Sequence, residues 1–179
     1  MSFFRFQEQK HIALFYDIEL QRDNEIIRYI NEGLSEGQLC IYGSIHVSDK
    51  EYFKTLTSRI TNYEGNVKKG NLMVVDFVPF YIAALKRDLT PYKEVQKQLE
   101  QLLKNNKDMK VRYVGDATGY LFKNGYFDEC LLIEAWWQNV HIPVVTTLCL
   151  FDKSLMDKSP FDKHKNKVIH THDIVLNSN

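Results

Sequence analysis

The sequence predicts a three-layer α/β/α sandwich around a mainly parallel sheet of five to seven strands, and three observations predict it. Short apolar runs alternate with stretches whose apolar residues recur at helical spacing, the pattern of strands joined by crossover helices. Acidic or aromatic residues stand where several of those runs end. The 179 residues contain no internal repeat and no linker that would divide them, so they suit one domain with its own core. Residues 1–9 read as an N-terminal extension and 177–179 as a tail.

The central stretch is HIALFYD over residues 11–17, too short for a stable helix and apolar throughout its middle, as a strand buried on both faces must be. Ile26, Ile27, Ile30 and Leu34 then mark a helix that stops at Gly37. LCIYGSI over 39–45 is the second strand. Ser48 and Glu51 have the spacing of a capping box, opening a helix with Tyr52, Phe53, Leu56 and Ile60 on one face. Residues 62–70, polar with two glycines, read as a loop. LMVVDF over 72–77 is the third strand, ended by Pro79, and residues 80–89 follow no clear period. Thr90 and Pro91 read as N-cap and first helical residue, before the stripe Tyr92, Val95, Leu99, Leu102 and Leu103. KVRYV over 110–114 is the fourth strand. A helix over 127–138 presents Phe127, Leu131, Ala135 and Gln138 on one face, widened by Leu132 and Trp136, with Glu134 either solvated or paired in the core. Residues 143–151 form the fifth strand, and 168–176 an edge strand that closes the sheet.

Composition narrows the function classes. With 23 basic and 23 acidic residues the net charge is zero, which gives no general attraction to nucleic acid and little resistance to self-association. No run approaches the roughly 20 apolar residues of a membrane helix, and the acid and amides of residues 1–10 are wrong for a signal peptide, so a cytoplasmic location is expected. Cys40, Cys130 and Cys149 lie in apolar runs without metal or redox spacing and read as buried thiols.

In an open parallel sheet, ligands bind outside the carboxyl ends of the strands. Tyr16, Asp17, Tyr42, His46, Asp76 and Asp116 stand at or near those ends, and Tyr81 follows the third one; these seven are the expected ligand-binding residues. Asp76 also follows four apolar residues, as a magnesium-orienting acid does in a nucleotidase. The phosphate loop that should accompany it, GxxxxGK[ST], is absent, and the loop after the first strand, IELQRDN over 18–24, has no glycine. No GxSxG elbow is present. His170 and His172 would share one face of the last strand, but two ligands do not make a metal site, and His11, His46 and His141 cannot be set beside them from spacing. No catalytic residue, cofactor or metal is expected.

The runs HIALFYD (11–17), YINEGLSEG (29–37) and LCIY (39–42) resemble the opening of the MEDS domain, the sensory domain of methanogens and methylotrophs named from the dichloromethane regulator DcmR. The likeness continues in LLIE (131–134), in TLCLFD (147–152) as a C-x-[YF]-D signature, and in VIHTH (168–172). It departs around residues 80–90, and Phe151 stands where tyrosine is common. The resemblance implies a RecA/KaiC-like fold, bacterial or archaeal, that has lost its phosphate loop and senses small hydrocarbon derivatives. Its relatives are often joined to histidine kinases or DNA-binding regulators. This chain has no room for either, so the expectation is a stand-alone sensor that binds a small, largely apolar ligand and signals to a separate kinase or transcriptional regulator. Two rivals stand beside it: a degenerate nucleotide or metal binder using Asp76 and Asp17, and an oligomeric scaffold in which Phe3, Phe4 and Phe6 dock on a neighbouring copy.

Overall fold

The structure, a computed structural model, describes residues 10–178 apart from 107, 141, 143, 144, 157, 159 and 160. The N-terminal phenylalanines and His141 therefore lie outside the described residues. One sheet is built from β1 (His11–Tyr16), β2 (Leu39–Ser44), β3 (Leu72–Asp76), β4 (Val111–Gly115), β5 (Val145–Asp152) and β6 (Ile174–Asn177). The spatial order is β3-β2-β4-β5-β1-β6, and every neighbouring pair is parallel. Parallel neighbours cannot be joined by tight turns, so helices carry the crossovers. They are α1 (Glu19–Ser35) after β1, then α2 (Lys50–Thr57) and α3 (Tyr63–Lys69) after β2. α4 (Val78–Leu85) and α5 (Thr90–Lys104) follow β3, α6 (Ala117–Lys123) and α7 (Phe127–Asn139) follow β4, and α8 (Lys153–Met156) and α9 (Asp162–His170) follow β5.

From β1 through β2 to β3 the chain steps one way along the sheet; from β3 to β6 it steps back the other way. Right-handed crossovers therefore place α1–α3 on one face and α4–α9 on the other. The packing follows. Ile12, Leu14 and Tyr16 of β1 join Ile26, Ile30, Leu56 and Ile60 in one core. Ala13 and Phe15 join Ala84, Leu121, Ile133 and Val168 in another. All six β1 residues are buried, which is why the strand reads as a continuous apolar run. At α6 the approach is tight enough to demand glycine: a Cβ on Gly119 would lie 1.8 Å from the Leu150 carbonyl oxygen.

Several local expectations shift. Residues 62–70 are not a loop but contain α3, which starts from left-handed Asn62 and stops at left-handed Gly70. The helix buries none of its residues, so it has no apolar stripe to reveal it. The cap of α2 is Asp49, whose side chain accepts from the Tyr52 amide, one residue after the expected Ser48. Leu89 precedes α5, with Thr90 already helical. The unreadable stretch after Pro79 is mostly α4. In α7 the buried residues are Cys130, Ile133 and Glu134, while Ala135 is exposed. A helix apolar nearly all round does not announce which face packs. The expected edge strand over 168–176 is divided between the end of α9 and β6, because Val168 turns into the core from a helix.

Candidate functional site

The topology creates three places where neighbouring strands send their crossovers to opposite faces: between β3 and β2, between β2 and β4, and between β5 and β1. Such switch points open a crevice at the strands' carboxyl ends. At the β2/β4 exit Asp116 is buried and held by two donors: the Ser44 hydroxyl at 2.7 Å on Oδ2 and the Ile45 amide at 2.9 Å on Oδ1. Burial raises its pKa against those hydrogen bonds, which pull the other way. Tyr42 is buried and its ring stacks on Phe53. His46 is half-buried between Tyr52 and Tyr120, each meeting it edge-on, and Tyr81 meets Tyr120 in the same way. Among the described residues the Tyr42 hydroxyl and His46 Nε2 are buried without a hydrogen-bond partner.

At the β5/β1 exit Tyr16 pairs with Asp152 and lies beside Arg22; burial pushes its hydroxyl up to about 12. Arg22 is itself buried and donates to Asp23 and to the Tyr52 hydroxyl, which donates to Asp23 in turn. Tyr16, Tyr42, His46, Tyr81 and Asp116 thus border one aromatic and polar region, to which Arg22, Asp23 and Tyr52 are additions that spacing did not signal. Asp17 and Asp76 stand apart. Asp17 is exposed, with its amide donating to Gln21 Oε1, and exposed Asp76 accepts from the Val78 amide at the start of α4.

On the α4–α9 face, beneath the β4 exit, lies a cavity of about 50 Å³. Phe77, Phe80, Tyr92, Tyr113, Trp136 and Trp137 are its aromatic lining, and none of the seven residues expected from the sequence lines it. The rings brace one another, with centroids 4.8 Å apart for Phe77–Phe80, 5.7 Å for Tyr92–Trp136 and 5.3 Å for Tyr113–Trp137. Both tryptophans are half-buried and line the cavity, and Trp137 Nε1 donates to the Thr147 hydroxyl. The few polar side chains in the lining include Thr147, Glu134 and Cys149.

Glu134 and Cys149 also belong to a buried quartet with His11 and His172. β1 supplies His11, β5 supplies Cys149, α7 supplies Glu134, and the turn between α9 and β6 supplies His172. Glu134 Oε2 lies 3.1 Å from His11 Nε2 and 3.3 Å from His172 Nε2; Cys149 Sγ lies 3.4 Å from His11 Nε2 and 3.7 Å from Oε2. The two imidazoles stack with centroids 3.9 Å apart. Burial alone would raise the Glu134 carboxyl, but the facing imidazoles outweigh it and hold it far below the usual range. Burial pulls His172 down, and Glu134 outweighs that and raises it. His170, the expected companion of His172, ends α9 and is exposed. The sequence holds a trace of the quartet only in Glu134, an acid among apolar helix residues.

The family model described as MEDS, MEthanogen/methylotroph, DcmR Sensory domain, matches residues 10–173 of the 179. Comparison with curated proteins gave no match.

Proposed function

This chain belongs to the MEDS family of sensory domains, and on that premise we propose that it binds a small, largely apolar organic molecule without transforming it and passes the signal to a separate kinase or regulator. The cavity beneath the β4 exit carries the reading. An apolar void of about 150 Å³ accepts benzene; one about a third of that size suits a ligand of a few heavy atoms. Aromatic walls with few polar groups are what such a ligand requires. Tyr16, Tyr42, His46, Tyr81 and Asp116 do not line the cavity, although Asp116 adjoins its lining residues Gly115 and Ala117. They are proposed as a separate polar patch at the strand exits that relays occupancy.

Binding predicts stabilisation by mass action, about 2.7 kcal/mol at a hundredfold excess over Kd. A thermal-shift series of haloalkanes, short alcohols and thiols should find compounds that raise Tm. Ala117→Val, which adds two methyl groups at the cavity wall, should remove the shift. No hit in the series, or a shift that survives in Ala117→Val, would overturn the assignment.

A RecA/KaiC-like descent belongs to the same proposal, supported by the parallel sheet and the glycine-free turn after β1. Nucleotide binding itself has less support. The amides of Asp17 and Ile18, where α1 would meet a phosphate, both donate to the chain's own Gln21 Oε1. No helix among the described residues is long and apolar enough to cross a membrane.

A further inference from the structure

We infer that His11, Glu134, Cys149 and His172 form a tetrahedral site for a divalent transition-metal ion, zinc before others. This goes beyond the sensory reading and stands whether or not the aromatic cavity takes a ligand.

The backbone fixes which imidazole nitrogens carry protons. His11 Nδ1 lies 2.9 Å from the Thr171 carbonyl oxygen and His172 Nδ1 2.7 Å from that of Val168. A carbonyl only accepts, so each Nδ1 carries a proton, and in the neutral rings both Nε2 atoms present lone pairs. Those lone pairs converge on a carboxylate oxygen and a thiol sulfur. Two imidazole nitrogens, a carboxylate oxygen and a sulfur that meet in a buried place form a donor set that one bound cation can satisfy. A backbone carbonyl on the far nitrogen is also how proteins orient a metal-binding histidine and make it more basic.

The spacing suits a tetrahedral ion. Zinc bonds of roughly 2.0–2.3 Å in a tetrahedron separate neighbouring donor atoms by about 3.3–3.8 Å. Four of the six separations run from 3.1 to 3.7 Å, and the other two are bounded by the 4.8 Å within which all four donor atoms lie.

A bound metal and a pair of protons would leave different contacts around Glu134. His172 Nε2 lies 3.3 Å from Oε2 without good hydrogen-bond geometry, and among the described residues Glu134 Oε1 has no partner. A proton on Nε2 would have to aim at the carboxylate to be useful; a metal needs only the lone pair. Glu134 is 1% exposed, so bulk solvent does not reach it. Two nitrogens, one oxygen and one thiolate suit zinc, whereas magnesium and calcium prefer oxygen alone. The thiol proton is released to solvent when the ion enters.

The test uses the full chain, stripped with a chelator and titrated with Co²⁺ and Zn²⁺. One equivalent of Co²⁺ should give visible bands of tetrahedral intensity and a thiolate charge-transfer band in the near ultraviolet, and Zn²⁺ should displace it. Cys149→Ser should remove the charge-transfer band and weaken affinity by at least the ten- to hundredfold that loss of an outer partner costs. Cys130→Ser, outside the quartet, should change neither. Failure of the intact chain to bind an equivalent of either ion would overturn the site. So would an unchanged cobalt spectrum in Cys149→Ser. Because the intact chain is measured first, the outcome does not depend on any variant folding, and a ligand-free cavity would leave it untouched.

Discussion

Asp116 and Glu134 are both carboxylates buried within this fold, 5% and 1% exposed, yet their surroundings differ in kind. Each oxygen of Asp116 meets a group that can only help by donating: the Ser44 hydroxyl and the Ile45 amide. The group closes on itself and fixes the exits of β2 and β4. Glu134 instead leaves Oε1 without a partner among the described residues and turns Oε2 toward two imidazoles whose Nδ1 protons are committed to backbone carbonyls. A buried polar group with its donors in place explains itself as structure. Apart from the Cys149 thiol, which donates to Oε2 at 3.7 Å, Glu134 lacks the donors that close Asp116. Positive charge on its neighbours, from protons or from a bound ion, would complete it.

The comparison breaks most visibly in Glu134→Gln. Its carboxamide keeps the volume and offers two N–H donors to the two bare imidazole nitrogens. The metal-free variant should be at least as stable as the unaltered chain by urea denaturation. The stabilisation by zinc, about 2.7 kcal/mol at a hundredfold excess over Kd, should vanish. An equal zinc response in both proteins would dissolve the distinction between the two carboxylates.

Asp116→Ala should cost about 2 kcal/mol, since the Ile45 amide and Ser44 hydroxyl lose their acceptor in a buried place. That cost should be the same with zinc or with chelator. A zinc-dependent cost there would mean that the two sites are coupled through the sheet. The smallest effect is expected at Asp76→Ala, where an exposed carboxylate accepts only from the Val78 amide: about 0.5–1 kcal/mol. Calorimetry with magnesium and ATP should show no heat in either protein; heat that disappears with the substitution would revive the nucleotide-binding alternative.

The sheet's strands were legible because burial on both faces forces unbroken apolar runs, as in β1 and β5, and α1 and α5 because one face alone packs. α3 was illegible for the same reason inverted: it buries nothing. The end of α9 read as strand because Val168 and Ile169 suit either structure, and only packing chose between them. Of the candidate site, the exits at Tyr16, Tyr42, His46 and Asp116 could be named because strand ends are local features. The cavity wall was not legible, because Phe77, Tyr92, Tyr113 and Trp137 come from separate elements that only packing brings together. The quartet was not legible: its members stand far apart in sequence, and none has a ligand neighbour at a spacing that marks a metal site.

The sequence alone therefore determined the alternation of strands and helices, the absence of a phosphate loop and the family, all carried by periodicity and short motifs. The tertiary structure decided the strand order, which helix faces pack, and which buried polar atoms meet. Only the sheet sets β5 beside β1, and only the return of α9 brings His172 across from the far end of the chain to His11. Local propensity acts over a few residues, whereas the convergence of Nε2, Oε2 and Sγ depends on the crossovers closing over both faces of the sheet.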